Sequence, residues 1–102
     1  MGLDDLDLQE RTIDHTSDVT TSDTQVVPVN KARSWLEIVN DSDTIIYLAL
    51  GRTAILNKGI RLNAAGGSFE INYTNLFKGF VRAIHAGAGN KVLLITEGET
   101  KY

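Results

Sequence analysis

Acidic side chains near the N-terminus are the first residues of this sequence whose spacing suggests chemistry. Asp4, Asp5 and Asp7 lie close together, and paired carboxylates can divide the roles of acid and base in hydrolysis. That division requires a rigid, partly desolvated site. The residues around these aspartates show no hydrophobic period and predict a flexible segment. We therefore expect no two-carboxylate active site there.

The other candidate ligands are also few. Asn40, Asp41 and Asp43 offer oxygen atoms for Ca²⁺, but the ligand spacing of an EF-hand loop is missing. We expect these side chains to stabilise a turn instead. With His15, His85 and no cysteine, the chain has too few ligands for a typical zinc site. We expect a structural role for His85 and a solvated His15, and we predict no metal, no cofactor, no catalytic residue and no enzyme activity.

Two glycine-rich segments superficially resemble phosphate-binding loops. Residues 66–68 and 87–90 each lead into a predicted strand, whereas a phosphate loop leads into the N-terminus of a helix. We expect both segments to be turns. The basic residues form no run and the formal net charge is −3, which predicts no nucleic-acid partner. No stretch approaches 18 consecutive apolar residues, so we expect no membrane partner either.

Charge divides the sequence near residue 24. Residues 1–23 contain seven acidic residues and one basic residue, and the following residues contain six acidic and nine basic ones. The division predicts an acidic, flexible N-terminal arm over 1–23 and a β-sandwich domain over 24–102. The arm nevertheless keeps four apolar side chains that are candidate anchors for a partner. These are Leu3, Leu6, Leu8 and Ile13.

The body of the sequence predicts about seven short strands separated by glycine, asparagine and aspartate turns. Phe69, Ile71 and Tyr73 alternate with polar residues, which is the period of a half-buried strand. Pro28 places the first body strand at the edge of a sheet, because proline donates no hydrogen bond to a neighbour. The fold class that follows is all-β: a small antiparallel β-sandwich or jelly-roll-like domain with an extended N-terminal arm.

Two predicted strands, 45–50 and 92–95, are apolar on both faces. Only one face of each sheet meets the core of a sandwich, so something must cover the second face. A domain this small without a disulfide or metal usually needs another source of stability. We therefore expect a homo-oligomer, with Trp35, Val39 and Tyr47 as candidate contacts on the body. The alternative is that loops or the arm of the same chain cover that face.

The segment from Trp35 to Glu97 resembles small virion proteins of tailed bacteriophages. Four short patterns recur in those proteins in the same order. In this sequence they are Ile38 and Asn40; Ile46, Tyr47, Leu48 and Gly51; Gly59, Ile60, Leu62, Gly66, Gly67 and Ser68; and Gly79, Val81, Ala83 and Ile84. The resemblance implies a structural role in the particle and brings no catalytic residues.

The roles that this resemblance implies are capsid decoration, the base of a head fibre, or a neck or tail component. The leading hypothesis is capsid decoration: a cement protein that binds the major capsid protein and stabilises the shell. We expect it to form a homo-oligomer, a trimer being the leading form, on the outer surface of the virion after synthesis in the host cytoplasm. Two alternatives remain open. One is a receptor- or carbohydrate-binding module of a tail or fibre, with its site around Tyr73 and Phe77. The other is a neck or tail ring component.

Overall fold

The computed structural model describes residues 10–100, which form eight β-strands and no helix. The strands are β1 (Glu10–Val19), β2 (Thr24–Val27), β3 (Arg33–Asn40), β4 (Ile46–Leu50), β5 (Ile60–Leu62), β6 (Ser68–Ile71), β7 (Val81–His85) and β8 (Lys91–Thr100). The prediction of an all-β sandwich is confirmed.

Two four-stranded antiparallel sheets build the sandwich. One has the order β1-β8-β3-β6 and the other has the order β2-β7-β4-β5. Six of the seven connections pass from one sheet to the other, and only β4 and β5 are consecutive strands in the same sheet. This alternation over eight strands is the arrangement of a jelly roll. β2 is an edge strand that ends at Val27, just before Pro28, as the sequence predicts.

The segment predicted to be a free arm supplies the first strand of this jelly roll. β1 pairs with β8 along its whole length, from Glu10 opposite Thr100 to Val19 opposite Lys91. Val19 is fully buried in the core. The boundary predicted at residue 23 is therefore wrong for residues 10–23, which belong to the sandwich. Residues 1–9 lie outside the described part of the chain.

Alternation along the strands places the core between the two sheets. Ile38 of β3 points inward opposite Ile95 of β8, and Leu36 and Leu93 point inward on the same two strands, while their neighbours in sequence point outward. The second sheet contributes Ile46 and Leu48 on β4, Val81 and Ala83 on β7, and Leu62 on β5. Burial of this apolar surface is the main stabilising contribution to a domain of this kind.

Asn40 organises the turn between β3 and β4. Its side-chain amide donates hydrogen bonds to the carbonyl oxygens of Thr44 (2.7 Å) and Leu62 (3.1 Å), and its Oδ1 accepts from the hydroxyl of Ser42 (2.6 Å). Lys91 donates a 2.9 Å hydrogen bond to Asp43 and thereby lowers the pKa of that carboxyl below its usual value. Asn40 and Asp43, two of the three side chains considered as Ca²⁺ ligands, thus hold the turn together, as expected.

The segment 51–59 lies against the outer surface of β4. Ala49, which points away from the core, is only 4% exposed, and Ala54 within the segment is buried as well. The backbone N–H of Ala54 donates to Asp23 (2.8 Å), and the hydroxyl of Tyr47 is bonded to Asn57 (2.9 Å). The second apolar face of the strand predicted at 45–50 is therefore covered by the chain itself, not held open for a partner.

Candidate functional site

The described chain leaves the outer surface of the β1-β8-β3-β6 sheet uncovered, and we call this surface the open face. Its centre is apolar, because Val39 of β3 lies opposite Leu94 of β8 in the register of the two strands. Leu94 is 42% exposed, while Val39, Val92 and Trp35 are half-buried beside it. Exposed apolar centres of this kind are characteristic of interaction surfaces.

Acidic side chains surround this apolar centre. Asp14, Asp18, Glu37 and Glu70 all point outward and are exposed, and no described outward position of these four strands holds a lysine or arginine. Thr96 donates a hydrogen bond to Asp14 (3.2 Å), next to a shallow depression of about 300 Å³ between β1 and β8. The open face therefore suits a partner that is apolar in the middle and basic at its margin.

Trp35 lies flat over Gly98 on this face. The two residues are opposite each other in β3 and β8, and a Cβ atom built on Gly98 would overlap the indole ring. The absence of a side chain at position 98 is what allows the only tryptophan of the chain to lie against the sheet.

Replacing Gly98 with alanine will therefore displace the Trp35 indole and destabilise the fold by about 1–3 kcal/mol, the usual cost of overpacking. Trp35 fluorescence reports the displacement, and urea unfolding reports the loss in free energy. Thr96→Ala, on the same face of the same strand, is the matched control and should leave the emission spectrum unchanged. Unchanged emission and stability in the Gly98 variant would contradict this packing.

A buried ion pair closes one end of the sandwich. Arg33 and Glu97 are both almost fully buried, and the guanidinium Nε donates to Glu97 at 2.6 Å. The remaining guanidinium nitrogens donate to the carbonyl oxygens of Phe77 (2.8 Å), Gly79 (2.9 Å) and Pro28 (2.8 Å). Arg33 thereby links β3 to two loops that are far apart in the sequence. One loop contains Pro28, and the other contains Phe77 and Gly79.

β1 joins this end through two further pairs. His15 is half-buried with its Nε2 3.1 Å from the second oxygen of Glu97, so it is not the solvated residue predicted from the sequence. Arg11 donates to Glu99 at 2.7 Å, and Asn30 donates to the other oxygen of the same carboxylate at 2.7 Å. These polar contacts fix the register of β1 on β8, since its inner positions carry few apolar side chains.

His85 has a structural role. Its ring is fully buried, with Nε2 2.8 Å from the carbonyl oxygen of Gly89, and Nδ1 accepts a hydrogen bond from the backbone N–H of Gly87. The imidazole therefore holds the β7–β8 turn. Within residues 10–100, no group of three or more histidine, aspartate or glutamate side chains is placed to hold a metal ion.

A second surface feature lies at the end of β6. Tyr73 is 88% exposed beside a depression of about 400 Å³ that Lys31, Leu76 and Lys78 also line. The loop that carries Tyr73 is held by Asn72, which accepts hydrogen bonds from the backbone N–H and hydroxyl of Thr74. An exposed aromatic ring on a fixed loop is a plausible contact for a ligand. Phe77 is half-buried against the core and does not belong to this surface.

The binding residues predicted from the sequence do not form one surface. Trp35 and Val39 share the open face, whereas Tyr47 lies on the other sheet and bonds to Asn57. Ile13 is half-buried on the inner side of β1, not on a free arm. Leu3, Leu6 and Leu8 lie outside the described residues. The missed members of the open face are Leu94 and its acidic neighbours, which the pairing of β1, β8, β3 and β6 brings together.

Comparisons with known proteins identify no relative. A scan against protein-family models gives no match, and searches of curated proteins and of solved structures give none either. In the part of the chain from 10 to 100, no helix has the length and apolar character needed to cross a membrane. A function for this chain therefore has to be inferred from the geometry of the jelly roll and its open face.

Proposed function

We propose that this chain is a bacteriophage capsid decoration protein that binds the assembled shell and stabilises it by association. The observation that carries the proposal is the open face, which offers an apolar centre of Trp35, Val39 and Leu94 within an acidic margin for contact between copies on the shell. The described histidines and the buried glutamate are bound into the fold, so the described surface offers contacts rather than reactive groups. A binding function fits such a surface better than catalysis.

The topology is compatible with this role. Jelly rolls occur in viral capsid domains and in lectins, although a fold by itself does not fix a function. The resemblance of residues 35–97 to small virion proteins points in the same direction. A protein that binds only the assembled shell stabilises that shell by mass action, in proportion to its concentration and affinity.

In this proposal the N-terminal residues bind the shell, and the open face binds another copy of the protein. Leu3, Leu6 and Leu8 precede β1 and contact the major capsid protein, with Asp4, Asp5 and Asp7 favouring a basic groove on the shell. The open face contacts a neighbouring copy, so that the protein self-associates on the particle. Ile13 is not among the anchors, because it packs in β1.

Sedimentation with expanded shells of the major capsid protein from the phage that encodes this chain tests the proposal. We expect saturable binding of the full chain, a higher melting temperature of the shell, and at least about tenfold weaker binding when Leu3, Leu6 and Leu8 are all serine. Leu76→Ser, an exposed substitution on the body, is the control and should bind like the original chain. No binding of the full chain to the shells would overturn the proposal.

Tyr73 favours a second candidate, a receptor- or carbohydrate-binding module. Its exposed ring beside Lys31 and Lys78 suits an acidic sugar, since sugar faces stack on aromatic rings and lysine attracts anionic groups. Binding to host-surface glycans that is lost in Tyr73→Ala, together with no binding to shells, would favour this candidate over decoration.

A further inference from the structure

The side of the sandwich opposite the open face carries the opposite charge. Arg61 and Arg82 point outward from β5 and β7, and Arg52 and Lys58 are exposed on the segment 51–59 that lies against β4. Asp23, the acidic residue on this side, is bonded to Arg82 at 2.7 Å. We call this surface the basic face, and it has an excess of positive charge that the open face lacks.

The basic face also has an apolar centre that projects from it. Ile55 is 50% exposed at the middle of the segment 51–59, with Arg52 and Lys58 beside it. The open face also has an apolar centre with charged residues around it, but these charges are negative. There Leu94 and Val39 lie among carboxylates. The two faces of one molecule are thus complementary in both polarity and charge.

We infer that the protein associates with itself head to tail, the basic face of one copy docking on the open face of the next. Ile55 then packs on the patch formed by Trp35, Val39 and Leu94, while Lys58 and Arg61 approach the carboxylates of the neighbour. The inference rests on the self-association included in the proposed function and specifies how it occurs. Contact between two open faces is disfavoured, since it would bring like charges together.

The size of the faces sets the strength of this contact. Four strands spaced about 4.8 Å apart and about 20–25 Å long cover about 380–480 Å² per copy, or about 770–960 Å² in total. That area lies below the range of stable specific complexes, so the contact is weak in dilute solution and effective at the high local concentration of a particle surface. Its opposite charges make it sensitive to salt.

The direction of the two faces determines the form of the assembly. They lie on opposite sides of the sandwich, and a head-to-tail contact between opposite sides repeats along a line. A closed trimer requires the two contact surfaces to be inclined to each other. The contact therefore extends into open rows of copies, and it does not by itself produce the trimer predicted from the sequence.

Two lysine substitutions test the contact with the full-length protein. Leu94→Lys places a charge in the centre of the open face, and Ile55→Lys does the same on the basic face. Both positions are exposed, so the melting temperature should not change. In sedimentation equilibrium at about 1 mM protein and low salt, we expect each variant alone to associate at least tenfold more weakly than the original chain. Leu76→Lys is the matched control and should associate normally.

Mixing the two variants distinguishes a head-to-tail contact from a symmetric one. Leu94→Lys keeps an intact basic face and Ile55→Lys keeps an intact open face, so the mixture should form a heterodimer that grows no further. The inference is overturned if the original chain does not associate, if either variant associates normally, or if the mixture stays monomeric. Shell binding by the Leu94→Lys variant is measured separately, so failure of the self-contact and failure of the decoration function are distinguishable.

Discussion

Replacing Arg33 with methionine is expected to destabilise the protein by about 3–5 kcal/mol, the usual cost of leaving one partner of a buried ion pair uncompensated. Among the described side chains that are bonded to Glu97, His15 alone would remain, and the carbonyl oxygens of Phe77, Gly79 and Pro28 would lose their donor. Each buried acceptor left without a partner adds to the loss. Urea unfolding followed by circular dichroism measures the change in the free energy of unfolding.

Arg61→Met is the matched control for this experiment. Arg61 is exposed, and its guanidinium donates a 3.2 Å hydrogen bond to Asn63, so its loss should cost less than about 0.5 kcal/mol. If Arg33→Met unfolds within about 1 kcal/mol of the original chain, the network around Glu97 does not hold the two loops as described.

Deleting residues 1–19 is expected to abolish most of the stability, whereas deleting residues 1–9 should leave the fold intact. The longer deletion removes all of β1, takes Val19 from the core, and leaves β8 as an unpaired edge with Leu93 and Ile95 uncovered on that side. Since a small domain has only about 5–10 kcal/mol of stability, the loss of one strand in eight is enough to unfold or aggregate it.

Each deletion is the control for the other, because they differ only in residues 10–19, which form β1. Thermal unfolding and size-exclusion chromatography should show a cooperative transition and an unchanged elution volume for the chain lacking 1–9. A chain lacking 1–19 that melts cooperatively at the same temperature as the full chain would show that β1 is dispensable, as a free arm would be.

The positions of strands were predicted well from the amino-acid sequence where one face of the strand is apolar. Phe69 and Ile71 alternate with polar residues, so hydrophobic period alone located β6, and the mostly apolar run 34–39 located β3. β1 was missed because only Ile13 and Val19 are apolar among its inner positions. Its acidic residues suggested a solvated arm, but in the structure Asp14 and Asp18 simply point outward from the sheet.

The polar end of the sandwich was not predictable from local patterns. The sequence separates Arg33 from Glu97 by 64 positions, and each appeared to be an ordinary surface charge. Their burial depends on the pairing of β3 with β8, which no period in the sequence specifies. Trp35 and Val39, predicted as contacts of the body, do share the outer side of β3 in the open face. Tyr47 was grouped with them wrongly, because the sequence does not say which sheet β4 joins.

The most direct test of the decoration function is quantitative mass spectrometry of purified virions from cells that produce this chain. We expect the chain to be present in a reproducible ratio to the major capsid protein, and mild washing at high salt should lower this ratio. Absence of the chain from particles that contain all their other structural proteins would contradict the decoration function.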